Sequence, residues 1–303
     1  NGFPLSTVTI WQGIKAKAPS ARLIDGCGYL HNNDKVNAGN VAGLVGDADV
    51  VVFVGGISPR LEGEELQVEE PGFKGGDRLT IELPAAQSEL VKALKDAGKK
   101  VVFVNCSGSA VALTAEQGNT NAILQAWYGG EQAGTAVADV LFGDYNPGGK
   151  LPVTFYASTS QLPDYEDYHM KNRTYRYFTG KPLYPFGYGL SYTSFAIGKP
   201  KYKNGTLTVK VKNTGERDGD EVVQVYVRNP KDTAGPRKTL RGFKRVKVKA
   251  GKTVDVRISL PRNTFELWND ETNTMCVVPG TYRLLVGNSS ADEDLREISV
   301  KVE

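Results

Sequence analysis

The chain has 303 residues, room for two ordinary domains each with its own core. Hydrophobic residues make up 40% and charged residues 23%, and 37 basic against 34 acidic side chains leave +3, so no bulk field calls for nucleic acid or a membrane surface. Two histidines and three widely spaced cysteines give no metal-site spacing, no material for a His-based triad and no disulfide framework.

The chain opens at Asn1, without Met or a signal peptide, and is read as processed, truncated or part of a longer polypeptide. The first part alternates strand-like and helix-like segments, with strands predicted at 21–24, 49–55, 100–105 and 122–126. The run Val50-Val51-Val52-Phe53-Val54-Gly55-Gly56 has the pattern of a parallel strand buried on both faces. A helix follows at 84–97, with Pro84 in its first turn, an apolar stripe of Leu90, Val91, Leu94 and Ala97, and Gly98 beyond its end. A second helix is predicted at 131–142, with Ala133, Ala136, Val137, Val140 and Leu141 on one face. This alternation predicts a parallel sheet.

Residues 55–83 are too long for an ordinary strand-to-helix connection of about 2–6 residues. Within them, residues 62–77 carry six acids, Glu62, Glu64, Glu65, Glu69, Glu70 and Asp77. Open α/β sheets bind ligands beyond the carboxyl ends of their strands, so an acidic loop there is placed for acid/base chemistry. Residues 144–150 are strong turn chemistry, and 161–197 form an aromatic-rich connector expected to pack against another domain. Beyond it the pattern is all-β, with strands predicted at 206–212, 221–227, 240–248, 253–260, 281–286 and 298–302, the spacing of a sandwich.

Four stretches carry a specific resemblance. They are Leu61-Glu62-Gly63-Glu64-Glu65 followed by Gly72-Phe73-Lys74-Gly75-Gly76-Asp77-Arg78; Trp127-Tyr128-Gly129-Gly130-Glu131; Asn146-Pro147-Gly148-Gly149-Lys150-Leu151-Pro152; and Tyr175-Arg176-Tyr177-Phe178 leading to Pro185-Phe186-Gly187-Tyr188-Gly189-Leu190. Together they resemble, in order, the C-terminal part of glycoside hydrolase family 3, the group of many β-glucosidases and β-xylosidases. The fold this implies is an α/β three-layer sandwich with a mainly parallel sheet, followed by an all-β immunoglobulin/fibronectin III-like sandwich. The domains are then 1–160, with its first strand missing, the connector 161–197, and 198–303.

The resemblance also implies a retaining mechanism that needs two carboxyl groups about 5–5.5 Å apart. Its nucleophilic aspartate belongs to an N-terminal (β/α)8 barrel, in the same or a separate chain, and this chain is not expected to contain that barrel. The general acid/base falls on Glu64, with Glu62 and then Glu65 as the alternatives. Alone, the chain is expected to be nearly inactive. No cofactor or metal is implied, the partner is an oligosaccharide substrate, and the location is secreted or periplasmic. The Ser58-Pro59-Arg60-Leu61-Glu62-Gly63-Glu64-Glu65 context looks most like xylosidase-type members, so β-xylosidase is favoured over β-glucosidase.

Each feature has a plainer reading. An acidic loop is usually a solvated surface, and Glu69 and Glu70 keep that reading. Asp77-Arg78 reads as a local ion pair anchoring the loop's end. Trp127 and Tyr128 could stack a sugar or pack in the core, and His31 and His169 have no assigned role. The rival function is a non-catalytic carbohydrate-binding or structural module. No G-x-G-x-x-G or P-loop lysine supports a nucleotide site, and no G-x-S-x-G supports a serine hydrolase.

Overall fold

The computed structural model describes residues 4–63 and 66–303. They fall into two compact units, Asn1–Tyr145 with Phe155–Leu162, and Asn146–Thr154 with Pro163–Glu303. The first is an α/β unit. It begins with α1 (Ile10–Lys17), which sequence reading left without an element. Thr9 and Gln12 close a capping box at its start, each side chain meeting the other's backbone N–H.

After α2 (Val41–Val45) comes β1 (Val50–Gly56) and then the one-turn helix α3 (Pro59–Glu62). Three short strands follow, β2 (Val68–Glu70), β3 (Phe73–Gly75) and β4 (Asp77–Arg78), in a small antiparallel sheet. The long acidic connection is therefore folded over its described part, with Phe73 buried at its centre. Helix α4 (Ala85–Asp96) buries Leu90, Val91 and Leu94, as its apolar stripe requires.

β5 (Lys100–Cys106), α5 (Thr114–Asn119), β6 (Ala122–Gln125) and α6 (Ala133–Leu141) complete the unit. Strands β1, β5 and β6 are parallel neighbours in chain order, with Val50 opposite Lys100 and Val102 opposite Ala122. Two expectations need correction. Residues 21–24 form no strand: Ile24 packs into the cluster of Val41, Val45, Leu90 and Leu94, while the Ala21 carbonyl accepts from Lys15 Nζ. Nor is β1 covered on both faces. Val51 and Phe53 pack on that same cluster, whereas Val50 and Val54 on the opposite face are 49% and 46% exposed.

Helices α1 and α6 touch backbone to backbone. A Cβ on Gly13 would stand 2.1 Å from the Gly134 carbonyl oxygen, and one on Gly134 2.0 Å from the Thr9 carbonyl oxygen. Only glycine allows that approach. The Val8 N–H donates to the Glu131 carbonyl and the Gly134 N–H to the Val8 carbonyl, fixing the crossing.

The second unit contains α7 (Thr174–Tyr177) and ten strands among its described residues. These are β7 (Phe195–Ile197), β8 (Lys201–Lys203), β9 (Thr206–Asn213), β10 (Gly219–Arg228), β11 (Thr239–Val248), β12 (Thr253–Ser259), β13 (Glu266–Asn269), β14 (Thr274–Val277), β15 (Gly280–Gly287) and β16 (Arg296–Val302). One sheet runs β11-β10-β15-β16 and the other β12-β9-β7, with β8 also paired to β9 and β13-β14 a separate hairpin. Alternate residues such as Val209, Val211, Val223, Val225, Val256 and Leu284 fill one core between them, as period-two patterning demands.

The aromatic stretch packs on the outer face of β10. Tyr175 stacks on Phe186 at 4.4 Å and meets Tyr226 edge-on at 5.7 Å, and the Leu240 N–H donates to the Tyr175 hydroxyl at 2.9 Å. That cover explains why Gln224 and Tyr226, on the face opposite the core, are buried. Lys150 and Glu221 meet at 2.8 Å, with only 12% and 3% of their side chains exposed.

Candidate active site

Because β1, β5 and β6 run parallel side by side, their carboxyl ends bring three connections together. After β1, Ser58 caps α3 by accepting from the Leu61 N–H, and Pro59 occupies its first turn. The helix ends after one turn because Gly63 takes a left-handed conformation, φ 68°. Glu62 is thus the last residue of α3.

Its carboxylate reaches the connection after β5. The Ser109 hydroxyl donates to Glu62 Oε1 at 2.5 Å and the Gly108 N–H to Oε2 at 3.2 Å. Gly108 must be glycine for this: a Cβ there would lie 2.7 Å from Glu62 Oε2 and 2.8 Å from the Tyr128 ring. From the connection after β6, the Tyr128 hydroxyl also hydrogen-bonds Glu62. Burial, and then this bond to a carboxylate, push the Tyr128 phenol far above its ordinary range. The preceding Trp127 holds a left-handed backbone, φ 56°, costly for a large side chain, and its ring meets Phe155 edge-on at 6.1 Å.

Arg78, at the far end of the acidic connection, arrives at the same place. Its Nη1 donates to Ser109 Oγ at 3.3 Å and to the Ala110 carbonyl at 3.1 Å, and Nη2 to the Glu82 carbonyl at 3.4 Å. Burial lowers the Arg78 pKa while Glu62 and Glu82 oppose the shift, and a guanidinium remains charged throughout. The anchoring expected of Asp77-Arg78 is thus delivered by Arg78 through Ser109 and two carbonyls. Behind the site, the Asn105 amide donates to Gln125 Oε1 at 2.6 Å, and Gln87 both accepts from the Gly56 N–H and donates to its carbonyl.

Of the expected site residues, the structure brings Glu62 and Tyr128 together and sets Trp127 beside Phe155. Glu64 and Glu65 lie outside the described residues. Glu69 and Glu70 are exposed on β2, with Glu70 3.6 Å from His31. Ser109, Gly108 and Arg78 were missed as partners of Glu62. The available signal was position: Ser107-Gly108-Ser109 follows a parallel strand whose carboxyl end shares an edge with that of β1. Among the described residues no group of three or more His, Cys, Asp or Glu could hold a metal ion. No helix among them is long and apolar enough to cross a membrane.

Glu82 closes the end of the acidic connection. Its carboxylate accepts from the Thr159 N–H at 2.7 Å and the Thr159 hydroxyl at 2.5 Å. Burial alone would raise its pKa, but the bonds from Thr159 and from backbone amides outweigh it and hold the carboxyl below its ordinary value. A depressed carboxylate contributes stability above its unfolded pKa, about 4.3, which is lost as pH falls through the lower folded value. The urea midpoint is therefore expected to fall less steeply below pH 4 in Glu82→Gln than in the parent, measured from pH 6 down to pH 3. Equal slopes would remove Glu82 from the acid response.

Residues 2–192 match the family model described as the glycosyl hydrolase family 3 C-terminal domain, and residues 221–290 match a fibronectin type III-like domain. A xylan 1,4-β-xylosidase from Xylanibacter ruminicola is 56% identical over 256 residues, covering 82% of this chain and 30% of the relative. A β-xylosidase from Formosa agariphila is 37% identical, covering 100% of this chain and 42% of the relative. Among solved structures, a β-glucosidase from Erythrobacter marinus superposes with a TM-score of 0.82 at 31% identity, covering 99% of this chain and 44% of that one. The chain thus spans 30–44% of the length of these three proteins.

Proposed function

This chain belongs to glycoside hydrolase family 3, and on that premise we propose that it is the C-terminal portion of a retaining, exo-acting β-glycosidase, β-xylosidase before β-glucosidase. In this reading an N-terminal barrel grips the terminal sugar and holds the nucleophilic aspartate. The α/β unit described here presents the general acid/base, Glu64, on the connection after β1. The protonated carboxyl donates to the leaving oxygen as the sugar–enzyme bond forms, then the carboxylate takes a proton from the water that breaks it. Glu62, the first of the two alternatives, has both oxygens already engaged by Ser109 and Gly108, which supports Glu64 over it in the role. A secreted or periplasmic setting goes with this reading.

The single observation that carries the xylosidase preference is the 56% identity to a protein named for β-xylosidase activity. The test is the ratio of kcat/KM for aryl β-xyloside and aryl β-glucoside with the complete enzyme. The ratio is expected to favour the xyloside by at least about tenfold, a difference of about 1.4 kcal/mol in transition-state binding. Preference for the glucoside would overturn the assignment.

A further inference from the structure

We infer that Ser109, Tyr128 and Arg78 act with Glu62 as a clasp that closes the base of the acidic connection and positions the acid/base it carries. The inference rests on the reading of Glu64 above for its catalytic consequence, but its geometry stands apart from that reading. Glu62 precedes the segment 63–77 and Arg78 follows it. Both ends meet on one hydroxyl: Ser109 Oγ donates to Glu62 Oε1 and accepts from Arg78 Nη1. Tying the two ends of a loop to a third, rigid point removes conformations that would otherwise carry its middle away from a fixed target. The point is rigid because Ser109 stands just beyond the central strand β5, which is laddered on both sides.

The described part of the segment between the two ends has its own order to transmit that restraint. The Leu66 N–H donates to the Gly63 carbonyl at 2.7 Å and the Leu79 N–H to the Gly72 carbonyl at 2.8 Å. A Cβ on Gly63 would meet Val68 Cγ2 at 2.6 Å, so Gly63 rests directly on β2. The Arg78 end has further ties, to the Ala110 carbonyl and through the Ala112 N–H to the Ile81 carbonyl. At the Glu62 end, beyond the Ser58 cap and backbone bonds of α3, the tie to the connection after β5 is made by the carboxylate. Ser109 and Tyr128 are both exposed, so neither contact buries much apolar surface and their value to global stability is small. Glu64 follows Glu62 by two residues, so a swing of α3 would displace it.

The test uses the complete enzyme with Ser109→Ala, Tyr128→Phe and Ser109→Thr. With a disaccharide substrate, whose leaving oxygen needs a proton, kcat/KM is expected to fall about ten- to a hundredfold in the first two variants, the scale of a misplaced catalytic group. With a dinitrophenyl glycoside, whose leaving group departs without a proton, the fall should be less than about threefold. Ser109→Thr keeps the hydroxyl and should recover the disaccharide rate. Amide exchange across residues 66–77 should quicken in Ser109→Ala and Tyr128→Phe. Parallel losses on both substrates, no loss on either, or unchanged exchange in that segment would overturn the clasp. Glu64→Gln, run alongside, separates the two ideas. If it spares the disaccharide rate while exchange still quickens in Ser109→Ala, the acid/base assignment falls and the clasp stands.

Discussion

In the complete enzyme, Glu64→Gln is expected to lower kcat/KM on a substrate with a poor leaving group by about 10²–10⁴-fold, or about 2.7–5.4 kcal/mol of transition-state stabilisation. Glutamine keeps the shape of the side chain but has no proton of the right acidity to give. The loss must depend on the leaving group. A dinitrophenolate leaves unaided, so the first step, which sets kcat/KM, should be nearly unchanged. The second step still needs a base to activate water, so kcat on that substrate should fall and KM should fall with it as the covalent intermediate accumulates. In Glu64→Ala, azide, which needs no base, should restore kcat and yield a β-glycosyl azide. Glu62→Ala should show no azide rescue, since Glu62 is placed in the clasp. Unchanged disaccharide hydrolysis by Glu64→Gln, or azide rescue in Glu62→Ala rather than Glu64→Ala, would move the acid/base away from Glu64.

The second large effect is one of stability. Glu221→Ala is expected to destabilise the β-sandwich unit by about 3–5 kcal/mol, because it leaves the Lys150 ammonium buried without its counter-charge. Three donors converge on the Glu221 carboxylate. Lys150 Nζ stands 2.8 Å from Oε1, the Val222 N–H donates to Oε1 at 2.7 Å, and Asn288 Nδ2 donates to Oε2 at 3.0 Å; Nζ also reaches the Gly189 carbonyl at 3.0 Å. The expected fall in the melting temperature is about 10 °C by calorimetry, at about 2–4 °C per kcal/mol for a unit of this size. The double replacement Lys150→Met with Glu221→Leu removes both charges and should recover most of the loss, since an apolar pair of similar volume is often no worse than a buried ion pair. A fall of under about 1 kcal/mol in Glu221→Ala would show that the ammonium finds water instead.

Glu221 also shows where sequence reading stops. The alternation in Glu221-Val222-Val223-Gln224-Val225-Tyr226-Val227 correctly predicts a strand, and it puts Glu221 on the same face as Val223 and Val225. Nothing local explains a carboxylate there. Its partner lies at Lys150, in a stretch read from sequence as turn chemistry and as part of the family resemblance, with no tie to Glu221. The parallel strands and α4 were legible because their apolar runs, proline start and glycine stop act within a few residues. Helix α1 was not: eight residues with a central glycine have poor intrinsic propensity, and its contact with α6 is set by tertiary packing. Its Thr9-to-Gln12 capping box was the one local cue.

The site divides the same way. Acids grouped beyond β1 and a Trp-Tyr pair beyond β6 can be read directly, since those residue types carry chemistry. Ser107-Gly108-Ser109 carries none by composition, and its place beside Glu62 follows only from β5 lying between β1 and β6. Residues 21–24 misled in the opposite sense. Their apolar side chains suggested a strand, but Ile24 serves a helix-covered cluster without any backbone ladder.

Residues 146–154 belong to the sandwich unit while 155–162 return to the α/β unit before the chain crosses back for good. No single cut in the polypeptide therefore separates the two. A sandwich begun at Pro163 would inherit the carboxylate of Glu221 and forfeit the lysine that neutralises it, so any graft of this unit onto another protein has to take the Asn146–Thr154 excursion along.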